Sequence, residues 1–92
     1  RRLGRTATEV TTLGFGGAPI GNLFTAVSEA DARDAVAAAL EAGVGWFDTA
    51  PHYGAGLSER RLGAALAGRP AVVSTKVGRV LAPVPEGEPL PD

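Results

Sequence analysis

Two short β-favouring runs, "VGWF" (44–47) and "AVVST" (71–75), are separated by residues 48–70. That interval is too long for a hairpin turn and long enough for a crossover helix. Antiparallel neighbours are joined by tight turns, whereas parallel neighbours need a dozen or more residues between them, usually a helix. A similar interval occurs upstream, where a run near Leu13–Gly16 precedes a helical segment and then "VGWF". The order is therefore strand–helix–strand–helix–strand with short connections. This order predicts an α/β chain built from parallel βαβ units. "AVVST" is continuously apolar at its start, as expected of a strand covered on both faces.

Local signals place the elements. Gly4–Arg5–Thr6 predicts the turn of a small N-terminal hairpin, and "APIGNLFTAV" (18–27) reads as a loop. Ser28 followed by Asp31 fits the reciprocal cap of a helix start. The helix then runs from Glu29 to about Ala42, with Ala32, Val36, Ala39 and Leu40 on one face. Glu29 and Arg33 form an i,i+4 pair on its exposed side, and Gly43 is a natural stop. A second helix is expected from Ser58, with Leu62, Ala65 and Leu66 inward, ending near Gly68–Pro70.

Composition narrows the function. The net charge of −1 gives no sign of a nucleic-acid or membrane partner. No apolar run approaches the roughly 18 residues of a membrane span. There are no cysteines, which favours a reducing, cytoplasmic setting. With one histidine as well, a zinc site of the usual kind is close to excluded. The 92-residue chain begins at Arg1 without a methionine, and "APVPEGEPLPD" (82–92) is a Pro-rich loop or truncated end. Both features read as a piece of a longer protein, with residues 1–81 as its folded part.

The glycine cluster "GFGGAP" (14–19) invites a dinucleotide-binding reading, but Pro19 stands where the third glycine belongs. The helix also starts nine residues after Pro19 instead of at the turn, so the phosphate cradle of that motif is absent. Close backbone approach at a strand end explains these glycines better. Asp48 alone reads as a turn or cap residue, Tyr53 as a loop aromatic, and Lys76 as a solvated lysine. Together they differ. Asp48 and Lys76 follow neighbouring parallel strands, and Tyr53 lies in the loop between, at the rim where α/β sheets and barrels build sites. An ammonium beside a phenol stabilises its phenolate, and a carboxylate keeps the amine charged and placed. These three groups can form a proton relay.

The remaining polar residues have simpler readings. His52 has a substrate-contact or plain surface role, and Glu59 suits the start of a helix. Arg60, Arg61, Arg69 and Arg79 are expected on solvated faces. Trp46 shares Asp48's side of the strand by alternation and reads as sheet or barrel filling.

The motifs resemble a known family. "GWFDTAPHYGAGLSERRLGAAL" is similar to the Asp-x-Ala-x-x-Tyr-Gly, Ser-Glu and Leu-Gly signature of the aldo-keto reductase superfamily. "VVSTKVGR" resembles its lysine strand, and "LGRTATEVTTLGFGGAPIGNL" its N-terminal hairpin and first strand. The likeness extends to about Leu81, and "GGAPIGNL" and "TKVGR" look most like bacterial aldose dehydrogenases. It implies the N-terminal part of a (β/α)8 TIM barrel with a hairpin across its bottom. A complete barrel of this kind takes roughly 250 residues.

The resemblance also implies hydride transfer between NAD or NADP and a small carbonyl or sugar substrate. Tyr53 would be the general acid or base, Lys76 would tune it, and Asp48 would hold Lys76. Gly17 and Ala18 would lie beside the nicotinamide ribose, with Asp48 also near the cofactor. The family's catalytic histidine, on the next strand, does not correspond to His52, so the 92 residues alone are expected to be inactive. Two alternatives stand beside this reading. One is a Schiff-base enzyme using Lys76; the other is a non-catalytic cofactor- or partner-binding module of the same fold.

Overall fold

The computed structural model describes residues 1–78. The Pro-rich stretch 82–92 and Arg79 lie outside the described residues. Three strands form one parallel sheet in the order β1 (Phe15–Gly16), β2 (Trp46–Asp48), β3 (Val72–Ser74). Helix α1 (Glu29–Glu41) connects the first pair and α2 (Leu57–Leu66) the second. In register, Phe15 pairs with Phe47 and Gly16 with Asp48, while Trp46, Phe47 and Asp48 face Val72, Val73 and Ser74. The expected βαβαβ order is present.

Helix α1 starts and stops for the reasons its sequence contains. Ser28 Oγ accepts from Asp31 N at 3.0 Å, so the hydroxyl half of the cap forms. At the other end, Gly43 N donates to Leu40 O and Val44 N to Ala39 O. These are the two crossed bonds of a glycine-terminated helix. The Glu29–Arg33 pair expected on its surface is replaced by a longer-range one, because Glu29 reaches Arg61 of α2 at 2.7 Å. Helix α2 begins one residue early, at Leu57, which puts Ser58 inside its first turn and fully buried.

The core sits between helices and sheet. Ile20, Ala32, Val36, Phe47, Leu62 and Leu66 are buried there, with Phe15 packed against them. The Phe15 and Phe47 rings lie 5.4 Å apart, tilted by 41°. Complete burial of Phe47 contributes about 2–3 kcal/mol. Coverage of β3 is less than its apolar run implies, since Val73 remains 51% exposed among the described residues. The two helices pack over Phe15 and Phe47 and do not extend across Val73.

Upstream, Arg2 and Glu9 form an antiparallel bridge around the Gly4 turn, the expected hairpin in minimal form. Thr11 ties the segment after it to the sheet by accepting from Gly45 N at 3.1 Å. The strand expected over Leu13–Gly16 is shorter, because Leu13 is 72% exposed and only Phe15–Gly16 pairs.

Candidate active site

The three strands end on one rim, and the candidate residues converge there. Asp48 closes β2, and Lys76 follows β3 by two residues. Lys76 Nζ lies 3.1 Å from Asp48 Oδ2 and also donates to the Thr49 carbonyl at 3.0 Å. The same ammonium stands 5.1 Å from the centroid of the Tyr53 ring. Residues 53 and 76 thus meet through space.

The electrostatics favour the charged forms of the pair. Asp48 is held below the ordinary carboxylate value, first by the Ser74 hydroxyl; burial opposes this, and the Lys76 ammonium adds to the lowering. Lys76 is raised above its ordinary value by its bond to Asp48, with partial desolvation opposing and the Tyr53 hydroxyl reinforcing. A lysine that forms an imine must first become neutral. Lys76 is pinned by two acceptors and shifted the opposite way, which argues against the Schiff-base reading.

A hollow of about 290 Å³ opens against these groups, lined by Ala50, Pro51, His52, Tyr53, Lys76 and Val77. His52 is half-buried and shares this hollow with Tyr53. A second opening is lined by Gly14, Phe15, Gly16, Trp46 and Asp48. Among the described residues no cluster of His, Cys, Asp and Glu could hold a metal ion. No described helix is long and apolar enough to cross a membrane.

The glycine cluster acts by close approach. Gly17 N donates to Asp48 O at 2.7 Å, and the Gly17 carbonyl accepts from the buried Ser58 hydroxyl at 2.8 Å. Ser58 in turn contacts Thr49 Oγ1 at 2.7 Å. A Cβ on Gly17 would sit 2.6 Å from the Asp48 carbonyl, so only glycine lets the β1 exit meet the β2 exit. Both backbone polar groups of Gly17 are used within the chain, while Ala18 beside it stays half-buried.

Several residues contribute more than their sequence context indicated. Arg61, expected on a solvated face, keeps a side chain only 9% exposed. Its guanidinium donates to Glu29 Oε1, to the carbonyls of Ile20 and Val27, and to Asn22 Oδ1. It therefore clamps the 18–27 loop onto both helices. Tyr53 rests on that loop through Gly54 (φ +75°) and Gly21, whose backbones approach too closely for a side chain on either. Glu59, read only as a helix-start charge, accepts from Thr75 Oγ1 at 2.8 Å, one residue before Lys76. An arginine five residues past a glycine-rich loop carries no local sign of burial. By contrast, Arg60 and Arg69 are exposed as expected.

Comparison with known proteins now decides the family. The Aldo/keto reductase family model matches residues 12–89. The chain belongs to the aldo/keto reductase family. It is 53% identical over 83 residues to a D-threo-aldose 1-dehydrogenase of Pseudomonas, covering 87% of this chain and 25% of that protein. Pyridoxal 4-dehydrogenase of Microbacterium luteolum is 47% identical over 93 residues, covering 99% of this chain and 27% of the relative.

Among solved structures, the holo form of an aldo-keto reductase from Bacillus halodurans superposes with a TM-score of 0.81 at 36% identity. It covers 95% of this chain and 28% of that one. A glycerol dehydrogenase from Gluconobacter oxydans gives 0.75 at 33% identity, over 94% and 27%. This aldo/keto reductase chain thus spans about a quarter of the length of the relatives it matches, and its three strands are part of their barrel fold.

Proposed function

We propose that this chain is the part of a nicotinamide-dependent oxidoreductase that carries its proton relay, and that the whole protein interconverts aldehydes or aldoses with alcohols or lactones. The observation that carries this reading is the meeting of Lys76 with Asp48 at 3.1 Å and with the Tyr53 ring at 5.1 Å, where Tyr53 and Lys76 line one hollow. Membership of the aldo/keto reductase family, and relatives named for aldose and aldehyde oxidation, support it. They bring a D-threo-aldose or a pyridoxal-like aldehyde forward as substrates.

The residues fit part of a nicotinamide cofactor. The hollow of about 290 Å³ is close to the lower end of the sizes that take small molecules. Asp48, and the backbone at Gly17 and Ala18, would flank such a group where the β1 and β2 exits meet. When bound, NAD or NADP accepts or supplies the hydride.

The chain's own residues handle the proton. In reduction the Tyr53 hydroxyl gives its proton to the carbonyl oxygen as that oxygen gains charge; in oxidation the phenolate takes it back. Lys76 stabilises the phenolate, and Asp48 with the Thr49 carbonyl aims the ammonium. Relays of this type are worth about 10²–10⁴ in rate.

The test uses the full-length protein with a D-threo-aldose, pyridoxal and glycerol, each with NAD or NADP, followed by nicotinamide absorbance. Tyr53→Phe is expected to lose turnover by at least about a hundredfold while cofactor affinity persists. Undiminished turnover would remove Tyr53 from this role.

A further inference from the structure

Asp48 has two oxygens, and the fold assigns them to different partners. Oδ2 accepts from Lys76 Nζ, while Oδ1 accepts from Ser74 Oγ at 2.7 Å. Ser74 is itself engaged from behind, since Trp46 Nε1 donates to its Oγ at 3.0 Å. An indole N–H can only donate, so the Ser74 hydroxyl must accept from it. With that acceptor site occupied, the hydroxyl proton is turned toward the carboxylate. A one-way chain of donated hydrogen bonds runs from Trp46 through Ser74 to Asp48.

We propose that Trp46 and Ser74 are positioning residues: the indole orients the Ser74 hydroxyl, which holds Asp48 Oδ1 and leaves Oδ2 to aim Lys76 at Tyr53. This rests on the proton-relay reading above and adds to it the two residues that keep the carboxylate from rotating. β-Sheet register makes the chain of contacts. Trp46 and Asp48 share a face of β2 by alternation, and Ser74 lies opposite Asp48 on β3. A carboxylate held only by Lys76, which is half-exposed, would be free to rotate and offer either oxygen. Charge-assisted bonds of the kind Ser74 makes are the stronger class of neutral-to-ion contacts.

The experiment compares Ser74→Ala, Ser74→Thr, Trp46→Phe and Tyr53→Phe in the full-length protein, with the most active substrate and cofactor pair found above. Ser74→Ala is expected to lower kcat by about tenfold or more with cofactor KM within about twofold, since a hydrogen bond to a charged group is lost. Ser74→Thr keeps the hydroxyl and should recover most of the rate.

Trp46→Phe keeps an aromatic ring against Gly14 but removes the donor, so it should lower kcat in the same direction and by less. In the cofactor-free protein, the Trp46 indole ¹H–¹⁵N resonance, assigned by its loss in Trp46→Phe, should shift upfield in Ser74→Ala and stay near its place in Ser74→Thr. If Tyr53→Phe is inactive while Ser74→Ala keeps parental kcat, the positioning role is overturned and the relay reading survives. If Tyr53→Phe turns over normally, the relay reading fails, and the positioning role of Trp46 and Ser74 fails with it. Should Ser74→Ala not fold, a parental kcat in Trp46→Phe overturns the orienting role of the indole.

Discussion

Two ion pairs among the described residues use the same chemistry in opposite surroundings. Arg61 meets Glu29 at 2.7 Å with its own side chain 9% exposed and its partner's 73% exposed. Lys76 meets Asp48 at 3.1 Å with both side chains about half exposed, 52% and 41%. The first pair is one of several contacts of a buried guanidinium that staples a loop to two helices. The second faces a hollow and leaves its ammonium beside a phenol. Burial makes a pair structural, because an arginine removed from water must satisfy its five donors. Exposure leaves a pair contributing little to stability, which frees it to serve a site.

The largest effect that would break this contrast belongs to Lys76. Lys76→Met in the full-length protein is expected to reduce turnover by about 10²–10⁴. Its melting temperature should barely move, and steady-state kinetics beside a thermal melt would show the split. A large loss of melting temperature with normal turnover would reverse the assignment of the two pairs.

Next comes Arg61→Ala, which leaves the Ile20 and Val27 carbonyls short of a donor and uncouples the loop under Tyr53. It should cost about 2–4 kcal/mol in denaturant unfolding. Arg61→Lys should recover little of this, since one ammonium cannot span acceptors arranged around a planar fork. The smallest effect belongs to Glu29→Ala. With that carboxylate mostly in solvent, the loss should stay under about 1 kcal/mol. A loss as large as that of Arg61→Ala would show that the pair, and not the loop carbonyls, holds the clamp.

pH sharpens the same comparison. Asp48 is held below its ordinary value of 3.8, so the stabilisation it contributes is full above 3.8 and fades as pH falls through the lower folded value. Lys76 is raised above 10.5, so its contribution is full below 10.5 and fades as pH rises through the higher folded value. Between these limits both partners stay charged. The Asp48–Lys76 pair should therefore add no slope to a stability-versus-pH curve well inside the limits of 3.8 and 10.5. A slope that disappears in Lys76→Met would contradict it.

Much of the site was legible in the sequence because its signals are local or follow simple periods. The alternation of strand and helix predicted parallel strands, and parallel strands bring Asp48 and Lys76 to one rim. Alternation put Trp46 on Asp48's side of β2, where its indole meets Ser74. Ser28 and Gly43 ended α1 where they stand. The burial of Arg61 was not legible because the partners of its guanidinium are distant in sequence; the Ile20 carbonyl lies 41 residues away. Ser74 looks like an ordinary strand residue for the same reason, being 26 residues from the carboxylate it holds.

By itself, then, the sequence determined the order of elements, the faces of the strands and the family to which the chain belongs, since propensity, capping and period act over a few residues. Only the tertiary structure decided which oxygen of Asp48 serves Lys76, which carbonyls Arg61 satisfies, and how the Gly17 backbone closes on Asp48. Those are choices among partners of equal chemistry, and distance and burial, not residue type, select between them.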